Sequence, residues 1–138
     1  MSAANRKIWV LINYISLGLL LFAFYSGEIV ERSTYIYAAI AFALIAGLVS
    51  FIMVHIRTGL WKLVHSKIDN LDERQIQVTH GALRHSYSIF TILALVILLI
   101  IALAGGYDDA NLIMIFASLL YLAHTLPSSV LAWTEKVV

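Results

Sequence analysis

Four long stretches of the chain contain no Asp, Glu, Lys or Arg, and this feature restricts the possible folds most strongly. They run over residues 8–27, 33–56, 85–107 and 110–134. Each has roughly 20 residues or more, the length that a helix needs to cross a hydrocarbon core about 30 Å thick. Transmembrane β-strands are shorter and alternate polar with apolar residues, whereas these stretches are continuously apolar. The sequence therefore predicts an all-α integral membrane protein with four transmembrane helices.

The amino-acid composition indicates that lipid surrounds most of the chain. Of its 138 residues, 62% are hydrophobic and only 12% are charged, whereas charged residues make up about 25% of a soluble domain. The lipid bilayer is therefore a predicted partner. No basic cluster is dense enough to indicate nucleic-acid binding. The chain has no Cys, which excludes thiolate metal sites, iron–sulfur clusters and thiol chemistry.

The apolar stretches predict a single membrane domain over residues 1–138, arranged as two helical hairpins and a linker. The first stretch is long for the apolar part of a signal peptide and no clear small-residue cleavage site follows it, so we interpret it as a retained helix. An amphipathic cytoplasmic linker is expected to join the hairpins. The predicted segments are transmembrane helices at 8–26, 34–56, 86–104 and 111–133, with the linker at 57–85.

The basic residues predict the orientation of the chain in the membrane. Four spans place eight of the nine Lys and Arg residues on one side, and Arg32 on the other beside four acidic residues. Because short cytoplasmic loops are enriched in Lys and Arg, both termini and the linker are expected in the cytoplasm. The cytoplasmic set is Arg6, Lys7, Arg57, Lys62, Lys67, Arg74, Arg84 and Lys136, and the acids opposite are Glu28, Glu31, Asp108 and Asp109.

The linker begins with a pattern typical of an amphipathic helix. Over residues 60–71, apolar and polar side chains fall on opposite sides of a helical wheel. This helix is therefore expected to lie on the membrane, with Trp61 as its anchor. Asn70 is the predicted cap of a second helix, with Glu73 three residues later as its partner. The second helix can run directly into the third span.

The absence of Asp, Glu, Lys and Arg within the spans argues against several functions. Proton relays, cation-coupled transporters and voltage sensors generally need intramembrane charge. His124 is the titratable residue expected deepest in the membrane, about halfway along the fourth span. Nearby Pro127 lacks an N–H, so the carbonyl of Ala123 loses its helical partner. His124 is a candidate ligand for haem, quinone or another molecule, or else it hydrogen-bonds to a neighbouring helix and fixes packing.

His55 and His85 flank the linker, at the cytoplasmic ends of the second and third spans, and form a second candidate site. If the two rings approach each other they could hold a cofactor, because four-helix bundles can bind haem between facing helices. The alternative is that both are ordinary residues at the level of the headgroups. Their spacing matches no metal-ligand motif, so no metal and no resident cofactor is predicted.

A row of small residues in the second span is a candidate contact surface. Ala39, Ala43 and Gly47 recur every four residues, and such rows let two helix backbones approach closely. The partner is either another helix of the same bundle or another subunit.

The triplet Asp72, Glu73 and Arg74 is either a docking site for a partner or a helix start with local ion pairs, worth about 0.3–0.5 kcal/mol each. Following an amphipathic segment between two apolar hairpins, it resembles the signature of a loose group of small, uncharacterised prokaryotic membrane proteins. These have four predicted helices and a DER-type motif in the central cytoplasmic linker. The ending LPSSVLAWTE, residues 126–135, also resembles the close of some such proteins. The resemblance implies a prokaryotic inner (plasma) membrane and supplies no catalytic residue.

These features favour a non-catalytic membrane protein that serves as an accessory or scaffold subunit of a larger membrane complex. The alternative is a small membrane protein that binds haem, quinone, pigment or lipid through His124 or through His55 and His85. An enzyme acting on lipid would need His, Asp or Ser clustered near the interface, and the linker offers no recognised arrangement of these residues.

Overall fold

The structure, a computed structural model, describes residues 1–29, 33–104 and 109–135, with side-chain surroundings for 1–27, 33–103 and 109–135. The regular structure of these residues is entirely helical. In chain order the elements are α1 (Ala3–Ile29), α2 (Thr34–Phe51), a π-helical turn (Ile52–Ile56) that continues α2, α3 (Leu60–His65), a short 3-10 turn (Ile68–Asn70), α4 (Glu73–Ala104) and α5 (Asp109–Thr134).

Four helical segments are long and apolar enough to cross a membrane. In lipid every backbone N–H and C=O must be paired within the protein, and a continuous helix of apolar residues achieves this within one segment. The prediction of an all-α membrane protein with four such helices is confirmed for the described residues. The segments are Ala3–Gly27, Thr34–Ile56, Glu73–Leu103 and Asp109–Thr134.

Helix α5 is the central helix of the described bundle. It packs against α1 and along α4, while α1 also packs along α2. Helices α1 and α5 are antiparallel, because Arg6 bonds to Glu135 at one end and Asn13 to Tyr121 further along. In the most apolar part of α5 39% of the residues are buried, against 6% in α4, so α4 lies at the edge of the bundle.

The short helix α3 folds back onto the bundle. Gly59 makes the turn with a left-handed backbone at φ +75°, and the hydroxyl of Thr58 accepts a hydrogen bond from the N–H of Leu60 at 3.3 Å. Leu60 is completely buried, and Leu63 and Val64 pack against the same core. The apolar face of α3 therefore contacts protein, and this core also contains Val10, Val54, Ala82, Leu131 and Ala132.

The helix at the start of the linker is shorter than the one predicted over residues 60–71. It ends at His65, because the next residue, Ser66, has an extended backbone with ψ 149°. The Ser66 hydroxyl donates to the carbonyl of Lys62 at 2.6 Å and so bonds one of the last carbonyls of α3. Ile68, which was expected on the apolar face, is 61% exposed.

Helix α4 begins with a reciprocal cap that lies two residues after the predicted one. The Asp72 carboxylate accepts from the N–H of Gln75 at 2.7 Å, and the Gln75 side chain accepts from the N–H of Asp72 at 3.0 Å. This is a capping box. Asn70 does not take the predicted role, because it ends the 3-10 turn and Leu71 after it is extended. From Glu73 onward α4 runs without a break through the predicted end of the linker into the third span.

Several residues on which the predicted orientation depends lie outside the described residues or have undescribed side chains. They are Glu28, Glu31, Arg32, Asp108 and Lys136.

Replacing Gly59 with alanine is expected to destabilise the protein by about 1 kcal/mol, since a Cβ is disfavoured in the left-handed region. No atom lies within 4 Å of the position that this Cβ would take, so the backbone angle is the expected cause. Gly81→Ala is the matched control, because Gly81 is helical and equally free of neighbours. That control should be stabilising by up to about 1 kcal/mol. Thermal unfolding in detergent measures both, and equal effects would contradict the assignment to backbone strain.

Candidate functional site

Polar side chains from α1, α2 and α5 meet inside the apolar bundle. The Asn13 amide is 1% exposed. Its nitrogen donates to the Ser50 hydroxyl at 3.1 Å, and its oxygen accepts from the Tyr121 hydroxyl at 2.9 Å. Ser50 in turn donates to the carbonyl of Gly47 at 2.9 Å. Asn13 thus joins three helices by hydrogen bonds in a region where water is scarce.

A second set of hydrogen bonds lies one turn along and joins α1 to α5. The Tyr14 hydroxyl donates to the Ser129 hydroxyl at 2.8 Å and lies 3.4 Å from the Thr125 hydroxyl. Thr125 itself donates to the carbonyl of Tyr121, at 2.9 Å, within α5. The two sets meet at Tyr121, so one polar seam runs along the face of α5 that contacts α1.

His55 lies in the π-helical turn and is completely buried. Its Nδ1 is 2.7 Å from the Ser128 hydroxyl, which donates its hydrogen to the carbonyl of Thr125 at 3.0 Å. Nδ1 therefore carries the proton and donates to Ser128, an assignment made from the hydrogen-bond network. Nε2 is then an acceptor, and it has no hydrogen-bond partner among the described residues. The centroids of the Phe51 and Trp61 rings lie 4.9 and 6.2 Å from the centroid of the His55 ring.

His124 lies on the outer surface of α5 and does not bond to a neighbouring helix. Its Nδ1 is 2.9 Å from the carbonyl of Leu120, four residues earlier in the same helix. A carbonyl can only accept, so Nδ1 carries the proton in the neutral ring and Nε2 is an acceptor. The sequence left open that His124 hydrogen-bonds to a neighbouring helix. Among the described residues the structure shows only the bond within α5.

His124 lines a cleft of about 590 Å³ between α1, α2 and α5. Most of its wall is apolar, and Phe51 and Trp61 line it as well. Its size and apolar wall are typical of sites for drug-sized or lipid-like molecules. The polar lining residues are Asn13, Ser16, Ser118, Tyr121, His124 and Thr125.

Three hydroxyls of the cleft point their hydrogens at their own helices. Ser16 donates to the carbonyl of Ile12 at 2.7 Å, and Ser118 donates to that of Met114 at 2.8 Å. Thr125 does the same within α5. These oxygens keep lone pairs but have no second hydrogen to give. Together with His124 they make the cleft rich in acceptors.

His85 and His55 lie in different surroundings. His85 is exposed, and its Nδ1 bonds to the carbonyl of Gly81 in its own helix at 2.8 Å. The two rings share no hydrogen bond or ring contact in the part of the chain that the structure describes. The residues proposed for a cofactor, His124, His55 and His85, are therefore three separate positions and not one constellation. No group of three His, Asp or Glu that could hold a metal occurs among the described residues.

The small-residue row of α2 lies partly against α1. Ala43 is 2% exposed, and a Cβ added to Gly47 would meet the Cβ of Ser16 at 3.8 Å. Ala39, the third member of the row, is only partly buried. This close approach brings the Gly47 carbonyl within 3.3 Å of the Asn13 amide nitrogen.

The triplet Asp72, Glu73 and Arg74 starts α4 and reaches the end of α5. Asp72 caps the helix, and Glu73 occupies the first turn, where acids suit the helix dipole. The Arg74 guanidinium lies 3.6 Å from the carboxylate of Glu135. The backbone carbonyl of Glu135 accepts from the buried Arg6, so the ends of α1, α4 and α5 are tied together.

Asn13, Tyr14 and Tyr121 were not predicted as site residues, because they are neither charged nor histidines and belong to no row of small residues. A useful indication was present, since Asn13 is the only amide side chain in the first apolar stretch. A lone amide within a span is usually bonded to another helix.

Comparisons of the chain with protein-family models, with curated proteins and with solved structures found no match.

Proposed function

We propose that this protein is a non-catalytic membrane protein that binds an apolar molecule bearing a hydroxyl or N–H group in the cleft beside His124. The observation that carries the proposal is the concentration of acceptors there. The Nε2 of the neutral His124 ring and the hydroxyl oxygens of Ser16, Ser118 and Thr125 all accept and have no hydrogen left to donate. A ligand that bonds to these four atoms must supply the donor.

This requirement narrows the classes of ligand that the sequence left open. A quinol, a hydroxylated pigment or a lipid with a free hydroxyl offers both the donor and the apolar body. An oxidised quinone offers acceptors only, so it could not bond to these four atoms. For a haem in this cleft, His124 Nε2 would be the imidazole nitrogen available to hold the iron, because neither His55 nor His85 lines the cleft.

The test compares His124→Phe with His85→Phe after gentle purification, by absorption spectroscopy and by mass spectrometry of the extracted lipids. Both rings are exposed and bond to their own helix in the same way, but only His124 lines the cleft. We expect His124→Phe to lower ligand retention about fivefold or more, since a hydrogen bond within the membrane is worth about 1–2 kcal/mol. His85→Phe should retain the ligand, and equal retention by both variants would refute the role of His124.

The proposed topology is two hairpins joined on the cytoplasmic side of a prokaryotic inner membrane, with both termini in the cytoplasm. The eight-to-one distribution of Lys and Arg supports the orientation. The resemblance of the DER triplet and of the LPSSVLAWTE ending supports the prokaryotic location.

A role as an accessory subunit is the second candidate, and the position of α4 favours it. Only 6% of the most apolar part of α4 is buried, so most of this helix is available to lipid or to another membrane protein. Comigration with a larger complex in a fixed ratio after mild extraction would support the subunit role. A strictly monomeric protein with no copurifying partner would count against it.

A further inference from the structure

A second cleft lies at the end of the bundle where α1 begins and α2 ends. It measures about 380 Å³ and is lined mainly by polar atoms, unlike the apolar cleft beside His124. Two arginines line it, Arg6 of α1 and Arg57 directly after the π-helical turn. The other lining residues are Met1, Asn5, Trp9, Met53 and Thr58, so no carboxylate lines it among the described residues.

The two arginines of this cleft are held in different ways. Arg6 is 4% exposed, and its Nη2 donates to the backbone carbonyl of Glu135, which fixes the guanidinium in place. Arg57 is exposed, and its Nη1 lies 3.6 Å from the sulfur of Met53, a weak acceptor. One fixed and one exposed arginine thus line the same polar cleft.

The position of the cleft along the helices places it at the level of the headgroups. Arg6 and Arg57 lie at the two ends of charge-free stretches, one before residue 8 and one after residue 56. The Trp9 ring lines the cleft, and Trp is enriched at this depth in membranes. The first turn of α1 borders the cleft through Asn5, and the N-terminal end of a helix favours an anion.

We propose that this cleft binds a phosphate group, with Arg6 and Arg57 as its two cationic ligands. Guanidinium groups match phosphate by paired N–H···O bonds. At headgroup depth the phosphate belongs to an anionic lipid, and a soluble phosphate is the other source of the same chemistry. The site is separate from the cleft beside His124 and goes beyond the function proposed for that cleft.

The experiment places the full chain in nanodiscs that contain phosphatidylcholine and phosphatidylglycerol in equal amounts, and native mass spectrometry counts the lipids that remain on the released protein. Wild type is expected to retain one phosphatidylglycerol in preference to phosphatidylcholine. Arg57→Gln should lower that retention roughly tenfold, the effect of losing one charge-assisted hydrogen-bonded pair. Arg84→Gln makes the same change at an exposed residue that does not line the cleft, and it should behave as wild type.

Further variants and a displacement measurement decide whether the phosphate belongs to a lipid or is soluble. They also separate loss of binding from loss of folding. Arg57→Lys keeps the charge but loses the paired donors, so we expect intermediate retention. Displacement of the lipid by inorganic phosphate would identify a soluble phosphate as the occupant, with the two arginines unchanged in role. Equal retention by wild type, Arg57→Gln and Arg84→Gln would overturn the proposal. Because His124 lies in the other cleft, His124→Phe should not change this retention, and failure of one site is distinguishable from failure of the other.

Discussion

Replacing His55 with alanine is expected to lower the free energy of unfolding by about 3 kcal/mol. The ring is completely buried and contacts Phe51 and Trp61. Its removal leaves a cavity, as when a buried aromatic residue is truncated. It also removes the Nδ1–H that donates to the Ser128 hydroxyl at 2.7 Å, in a part of the bundle from which water is excluded. Equilibrium unfolding in a mild detergent measures the change.

The matched control for this experiment is His85→Ala. The exposed His85 ring bonds to the carbonyl of Gly81 in its own helix, and surface substitutions of this kind usually stay within about 0.5 kcal/mol. Ser128→Ala separates the hydrogen bond from the cavity, because it removes the acceptor and leaves the ring in place. A loss of stability from His85→Ala as large as that from His55→Ala would show that the burial of His55 is not the cause.

The contrast between these two histidines illustrates what the sequence could not supply. Both lie at the ends of apolar stretches, at similar distances from charged residues. Their different surroundings depend on the π-helical turn, which His55 occupies, and on Ser128 of α5, 73 residues away. Neither the turn nor this contact between helices leaves a periodic pattern in one chain.

The four apolar helices themselves were predictable, because the cost of placing charge in a hydrocarbon core keeps Asp, Glu, Lys and Arg out of each span. That pattern is local and can be read along the chain. The packing of α3 is not local, because Leu60 belongs to a core that also contains residues of α1, α4 and α5. An amphipathic pattern predicts an apolar face without saying whether lipid or protein covers it.

The start of α4 shows a smaller limit of sequence reasoning. Asn70, Asp72, Glu73 and Gln75 allow more than one capping box. The structure uses Asp72 with Gln75 because the 3-10 turn at residues 68–70 is followed by an extended Leu71. Helix boundaries inferred from pattern alone commonly shift by a few residues for this reason.

The polar seam is expected to contribute strongly to the free energy of unfolding. A double-mutant cycle of Asn13→Ala and Tyr121→Phe measures the coupling between its two central side chains. Asn13→Ala is expected to cost about 2 kcal/mol, because it removes the buried acceptor of the Tyr121 hydroxyl and the amide N–H that donates to Ser50. Tyr121→Phe removes one hydroxyl and should cost about 1 kcal/mol. If the two groups act on each other directly, the double variant should be about 1 kcal/mol more stable than the sum of the single effects predicts.

A second cycle supplies the reference for that coupling. Ser88 is exposed on α4 and donates to the carbonyl of Arg84 in its own helix at 3.2 Å, so Asn13→Ala and Ser88→Ala should be additive within about 0.5 kcal/mol. Equal coupling in both cycles would mean that Asn13 stabilises the bundle through general packing. Coupling confined to the pair Asn13 and Tyr121 would assign the stability of the α1–α5 contact to a specific hydrogen bond. The wall of the cleft beside His124 would then be held rigid before any ligand enters, because both residues line it.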